Sequence, residues 1–181
     1  MVYLQTMASI YNILGGNGTA RYSTLVAMIK YAASAGKAEL AMVSPAAAAL
    51  DGMVAEWGCD VAKTRELYST IFEAASKHGN AGDAHAFRLK YLQTFQGQKA
   101  TPEALTQASI AVGEVVGNPD VLQFDEYMDL DAIKALKDDS THALVYAVLD
   151  LFSKDELKVS LSLSLSCLHL VCQSCISRAR L

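Results

Sequence analysis

The chain has 181 residues, enough for one ordinary domain, and with 52% hydrophobic and 19% charged residues it is not a chain disordered throughout. Three prolines and eleven glycines in an alanine-rich text favour helix over sheet. All 19 acidic residues precede Ser160 while only Arg178 and Arg180 of the 15 basic ones follow it, so the body sets 13 bases against 19 acids, a net of −6, and direct nucleic-acid binding is not expected of it.

Residues 2–14 read as an amphipathic helix with Leu4, Ile10, Tyr11 and Leu14 on its buried face. It starts without a cap, which leaves backbone donors unpartnered and suggests the later part of a longer protein. Gly15-Gly16-Asn17-Gly18 then breaks the helix. Over 21–35, Tyr22, Leu25, Val26, Ile29 and Ala33 share one face, and Gly36 suits the position after the last turn. A third helical region, 38–57, is broken near Ser44-Pro45. Asp60 is expected to cap a helix over 61–77, with Leu67, Tyr68, Ile71, Phe72 and Ala75 inward and Gly79 ending it. Asp83 is expected to cap the next helix, which carries Phe87, Tyr91 and Phe95 on one face. Thr101-Pro102-Glu103 supplies a cap, a proline at the first helical position and an acid in the first turn. Asn118-Pro119 stops that helix, a short helix follows over 131–136, and Ser140 is expected to cap 141–152 with Leu144, Val145, Val148 and Phe152 inward.

About eight helices on short connections predict an all-α fold, an irregular stack of helical hairpins or α-solenoid, over residues 1–158. No consensus of about 34 residues recurs, which excludes a regular tetratricopeptide array. A stack cut at both ends exposes the apolar faces that further repeats would cover.

Residues 159–181 differ in character. Leu and Ser alternate from Ser160 to Ser166, charge vanishes until Arg178, and no partner strand is expected upstream. A CT dinucleotide repeat translates as alternating Leu and Ser, so the segment is expected to be aberrant in origin and unstructured. Cys167, His169, Cys172 and Cys175 carry zinc-like spacing. It matches the middle of a RING finger, where such ligands belong to two zinc sites that each need a further pair absent here. No metal site is assigned, and a zinc-tailed ubiquitin-ligase fragment is the weaker alternative. The body holds only Cys59, which implies no disulfide framework and fits a reducing, cytoplasmic compartment. No secretory signal opens the chain, and the tail lacks the continuous apolar run of a membrane span.

No catalytic, cofactor-binding or metal residue is assigned anywhere, and the chain is read as a non-enzyme. The glycines at 15–18 follow a helix rather than a strand and read as a turn, not a phosphate cradle. His78, His85 and His142 read as surface residues, with His78 at a helix end. Asp138-Asp139 and Asp125-Glu126 form no calcium-loop pattern. Lys77, Arg88 and Lys90 read as a solvated face, and Trp57 as core.

Several strings occur in a telling order. They are Arg21-Tyr22, Ile29-Lys30 and Ala32-Ala33-Ser34 with Gly36; Glu56-Trp57 before Leu67 and Ile71; Lys90-Tyr91-Leu92 with Thr94-Phe95 and Gly97. The most specific runs from Asn118-Pro119-Asp120 through Gln123-Phe124-Asp125, Leu130, Ala132 and Leu136 to Ala143-Leu144-Val145-Tyr146 and Leu151-Phe152. Together, residues 4–160 resemble the M-subunit family of eukaryotic translation initiation factor 3, within the PCI-domain proteins. The resemblance implies a helical-repeat superhelix followed by a winged helix, and a non-catalytic scaffold. That scaffold works with other subunits of the factor on the small ribosomal subunit, helping to recruit messenger RNA and initiator tRNA. The chain departs from the pattern by lacking the first helices and by carrying the Leu-Ser tail in place of the last helices and winged helix. PCI scaffolds of the proteasome lid or the COP9 signalosome are the alternative of the same fold.

Overall fold

The structure, a computed structural model, describes residues 2–44, 47–117 and 125–153. Pro45, the Asn118-Pro119 stop, the Gln123-Phe124 string and the whole tail with its Cys and His residues lie outside them. Among the described residues the protein is all-α, with no strand, and its helices pack in a helical-repeat arrangement. They divide into two compact units, one ending at Thr94 and the other starting at Phe95.

The first unit holds α1 (Val2–Ile13), α2 (Gly18–Ala35), α3 (Lys37–Val43), α4 (Ala47–Glu56), α5 (Val61–Lys77) and α6 (Ala81–Gln93). Helix α2 begins where the side chain of Asn17 accepts the Ala20 N–H at 3.1 Å, three residues before the sequence signal. It buries Tyr22, Leu25, Val26, Met28, Ile29 and Ala32 against α1, α3 and α5. The expected face is there, but Ala32 occupies the core in place of Ala33. Asp60 caps α5 as predicted, accepting the Lys63 N–H at 2.7 Å, and all five predicted inward residues of α5 are buried. Gly79 (φ 70°) ends α5 in a conformation that a Cβ would strain. Helix α6 starts earlier than expected, because Asn80 and not Asp83 is its cap. Asn80 accepts the Asp83 N–H at 3.4 Å and donates its own amide to the Asp83 carboxylate at 2.6 Å. Asp83 sits in the first turn, where it complements the helix dipole.

Three polar nodes join the helices of this unit around a carboxylate. Glu56 accepts from Arg21 at 3.1 Å, tying α4 to α2. Glu66 accepts from the Tyr22 hydroxyl at 2.8 Å and from Lys30 at 3.3 Å, tying α5 to α2. Asp51 accepts from Tyr68 at 2.8 Å and from Lys90, tying α4 to α5 and α6. The hydrogen bond from Tyr22, aided by Lys30, holds the Glu66 carboxyl below its ordinary range. Burial alone would push Asp51 up, but the bonds from Lys90 and Tyr68 outweigh it and hold this carboxyl low as well. Burial pushes both Tyr22 and Tyr68 far above the usual phenol range, reinforced by the carboxylates they meet, so both remain donors.

The second unit holds α7 (Pro102–Val116), α8 (Asp125–Met128), α9 (Asp131–Lys134), a 3-10 turn (Ala135–Asp138) and α10 (Ala143–Ser153). Thr101 caps α7 as predicted, with Oγ1 accepting the Ala104 N–H at 3.2 Å and Pro102 opening the helix. Small residues Ala104, Ala108 and Ala111, with Val112 and Val115, form its buried face against α9, the 3-10 turn and α10. The loop before α7 is latched to α9: Asp131 accepts the Gly97 N–H at 2.7 Å, and Gln96 accepts the Asp131 N–H at 3.3 Å. Ser140 does not cap α10, which starts only at Ala143, after a turn over 140–142 that Asp139 closes. The Asp139 carboxylate accepts the N–H groups of Thr141 and His142, both at 3.0 Å. The buried residue of α10 is Leu149, while Leu144 is 72% exposed and Val145, Val148 and Phe152 are only partly covered. This helix is apolar on most faces, so sequence periodicity does not select the inward one.

Gly18 marks the tightest approach in the first unit. A Cβ there would stand 2.7 Å from the Trp57 Cα and 2.9 Å from the Trp57 carbonyl oxygen, both backbone atoms that cannot swing aside. Gly18→Ala is therefore expected to cost about 1–3 kcal/mol as an overpacking change. Gly52→Ala, in α4 with nothing within 4 Å, should stabilise by roughly 0.5–1 kcal/mol. Thermal unfolding of the two variants checks both signs. Depressed acids contribute stability that is present above their unfolded pKa and lost as pH falls through the folded one. Unfolding free energy should hence decline below about pH 4, and Glu66→Gln should flatten that decline in denaturant titrations across the same range.

Candidate interaction surfaces

Asp51, Glu56 and Glu66 are each engaged in holding helices together. Among the described residues, no group of three or more His, Cys, Asp or Glu stands where it could hold a metal ion. Of Lys77, Arg88 and Lys90, expected on a solvated face, only Lys77 is exposed. Arg88 is 4% exposed, its guanidinium 5.2 Å above the Phe72 ring and 3.4 Å from the Ser76 hydroxyl. Lys90 is paired with Asp51, and Lys77 donates to the Ala33 carbonyl at 3.2 Å. The fold turns Arg88 inward because its stem lies beside Phe87, Tyr91 and Leu92 on a crowded α6 face.

His78 stands at the C-terminal end of α5, as the sequence suggests, but it is not a plain surface residue. Its Nε2 lies 2.8 Å from the Ala33 carbonyl in the last turn of α2; a carbonyl only accepts, so that nitrogen carries the proton. The cleft beside it, of about 240 Å³, is lined by Lys30, Ala33, Thr70, Glu73, Ala74 and Lys77. Its charges answer the carbonyl ends of two helices and a neighbouring Glu66, so it has the chemistry of a helix junction and not of an anion site. His142 pairs with Asp139 at 2.7 Å; that bond, first of all, holds the Asp139 carboxyl low. Burial pushes the Cys59 thiol up, away from the reactive thiolate.

Trp57 is core, 7% exposed, with Tyr11 edge-on at 6.3 Å. Between them runs Arg21, its guanidinium 4.6 Å over the Tyr11 ring and 5.8 Å over Trp57. The Arg21-Tyr22 string is thus structural: one residue ties α1 and α4 to α2, the other ties α5 to it. Sequence reasoning assigned neither role, since the partners lie up to 44 residues away.

What the described surface does offer is two uncovered apolar helix faces. On α1, Val2 is 77% and Ile13 82% exposed, and Ile10, expected inside, is exposed too, while Tyr3, also exposed, sets its ring 4.3 Å from that of Tyr31 on α2. On α10, Leu144 and Leu151 are exposed, with Ala147 between them on the same side. Interior helices such as α5 show no comparable stripe: Val61 is its one exposed large apolar residue. No described helix is long and apolar enough to cross a membrane.

Comparison with known proteins points to one kind of relative. No protein-family model and no solved structure matches the chain. It is 25% identical over 153 residues to eukaryotic translation initiation factor 3 subunit M of Phaeosphaeria nodorum, covering 84% of this chain and 34% of the relative. Subunit M of Pyricularia oryzae is 25% identical over 155 residues, 83% of this chain and 35% of the relative, and that of Aspergillus clavatus 24% over 157 residues, 85% and 33%. The chain spans about a third of the length of these relatives, and over that stretch it is like the M-subunit family of eukaryotic translation initiation factor 3, as a fragment.

Proposed function

We propose that the chain acts as a non-catalytic scaffold subunit of eukaryotic translation initiation factor 3, in the cytoplasm, holding other subunits of that factor through helix faces. Through the complex it supports recruitment of messenger RNA and initiator tRNA to the small ribosomal subunit. The observation that carries this reading is the similarity to subunit M over more than four-fifths of the chain. Two physical features agree with it. Asp51, Glu56 and Glu66 are bound up in interhelical nodes, while exposed apolar stripes on α1 and α10 are surfaces that gain from being covered. The excess of acidic residues in the body favours protein partners over direct contact with nucleic acid. Affinity purification of the tagged chain from its own cells, with mass spectrometry of what is retained, tests the reading. Several initiation factor 3 subunits together with small-subunit ribosomal proteins are the expected recovery. Their absence, with only chaperones recovered, would overturn the scaffold role for this chain.

A further inference from the structure

The turn between α1 and α2 carries the one Asn-Gly step of the chain, Asn17-Gly18. Of the other asparagines, Asn12 precedes Ile13, Asn80 precedes Ala81 and Asn118 precedes a proline. An asparagine loses its amide when the backbone nitrogen of the next residue attacks its Cγ, and a Cβ on that residue obstructs the approach. Glycine has no Cβ, and proline has no N–H to give up. Asn17 is also exposed, so water reaches both carbonyls of the ring that such an attack forms. By its neighbour and its exposure, Asn17 is the asparagine at which this chemistry is fastest.

The fold holds that reaction shut. Asn17 has φ −81° and ψ 85°. For an L-residue this ψ turns the Gly18 nitrogen nearly trans to Cβ and away from Cγ, while a five-membered ring needs them on the same side. Rotating ψ swings the Asn17 carbonyl as well. That carbonyl accepts the Arg21 N–H at 3.0 Å, the Asn17 side chain accepts the Ala20 N–H at 3.1 Å, and the Gly18 N–H donates to the Gly16 carbonyl at 3.1 Å. Ring closure breaks all three bonds and shifts Gly18 from the Trp57 backbone, against which it is packed too closely for a Cβ. The missing Cβ thus makes the site chemically fast and also lets the fold close over it. Asn80 caps α6 with nearly the same angles, φ −89° and ψ 78°, but is followed by an alanine.

We propose that Asn17-Gly18 is a self-modification site, closed by the cap of α2 and reactive only when the first turn of α2 opens. The Gly18 nitrogen then bonds to the Asn17 Cγ, gives up its proton and expels the side-chain nitrogen as ammonia, which leaves a succinimide. Water opens the ring at either carbonyl. Attack on the side-chain carbonyl breaks its new bond to the Gly18 nitrogen and yields aspartate, which keeps the cap. Attack on the main-chain carbonyl breaks the original peptide bond and yields isoaspartate, with Gly18 now joined through Cγ and a free carboxylate on Cα. The main chain is one carbon longer there, so Gly18 no longer returns to Trp57 in register and α2 loses its cap. The proposal does not rest on the initiation factor reading, and its test uses no component of that factor.

Peptide mass spectrometry of the full chain, incubated at mildly alkaline pH with and without denaturing guanidinium chloride, tests it. In the denaturant Asn17 should convert to aspartate and isoaspartate with release of ammonia, and Asn12 and Asn80 should convert at least about tenfold more slowly. In the folded chain Asn17 should convert at least about tenfold more slowly than in the denaturant. Arg21→Ala removes the bonds from the first turn of α2 to Tyr11 and Glu56. It should speed conversion of the folded chain several-fold and leave the rate in denaturant unchanged. Guanidinium chloride below the unfolding transition should act alike on the wild type, raising the rate while helical circular dichroism holds, and it serves where the variant does not fold. Trp57, the single tryptophan, reads the consequence. Its emission should shift in the separated isoaspartyl form and stay in place in Asn17→Asp. The proposal is overturned by an Asn17 that stays intact in denaturant, by an Asn80 that converts as fast, or by equal rates folded and unfolded. It is overturned equally by a folded-state rate that responds to neither means of opening, or by an isoaspartyl form with unchanged Trp57 emission.

Discussion

Helix α5 is covered on two sides at once, by α2 on one and α6 on the other, and the first unit is organised by that demand. To be packed twice, a helix must offer apolar side chains over a wide arc; α5 does so with Leu67, Tyr68, Ile71, Phe72, Ala74 and Ala75. Leu67 and Ile71 are fully buried, and truncating either to alanine would remove about 2–5 kcal/mol. That leaves α5 a narrow polar margin, and the margin is used. Glu66 reaches α2, and Arg65 donates to the Thr94 hydroxyl and carbonyl at 2.9 and 2.8 Å just past the end of α6. Polar groups at the edge fix the angle and register of helices whose apolar contacts alone would tolerate sliding.

The same demand passes from helix to helix. Each added hairpin covers the face its predecessor left open and opens one of its own. Helices with neighbours on both sides therefore end with their apolar residues buried, and helices with a neighbour on one side do not. Ile10 and Leu144, expected inside, are exposed because each lies on a side of its helix that no described element covers.

That difference marks how far the sequence could be read. Elements were legible where a local signal decides them: Asp60 before α5, Thr101-Pro102 before α7, Gly79 after α5. Signals one to three residues apart were confused. Asp83 and Ser140 are sound cap residues, but Asn80 captures the free N–H at the start of α6, and Asp139 takes the N–H groups of the turn before α10. Ala32 and Ala33 illustrate a second limit, since periodicity fixes the direction of a face but not its centre to within one residue. Arg88 illustrates a third. Its charge predicts a solvated face, yet a stem among aromatic residues and a guanidinium over Phe72 make it part of the core. None of the three nodes was visible beforehand, because each joins residues from 17 to 44 positions apart.

An architecture of this kind places its chemistry in its joints. Glu56, Glu66 and Asp51 each take their hydrogen bonds from a neighbouring helix, and His78 and Lys77 direct their protons at the open carbonyl end of α2. A carboxylate held low by two donors is a poor general base, and a thiol pushed up by burial is a poor nucleophile. Asp51, Glu56 and Glu66 thus serve the packing of the helices, and beside them stands the exposed surface. On α1 and α10 that surface is apolar, ordered by the helix beneath it and already satisfied in its own hydrogen bonds where hydroxyls occur. Covering it would release water without leaving those hydroxyls unpaired.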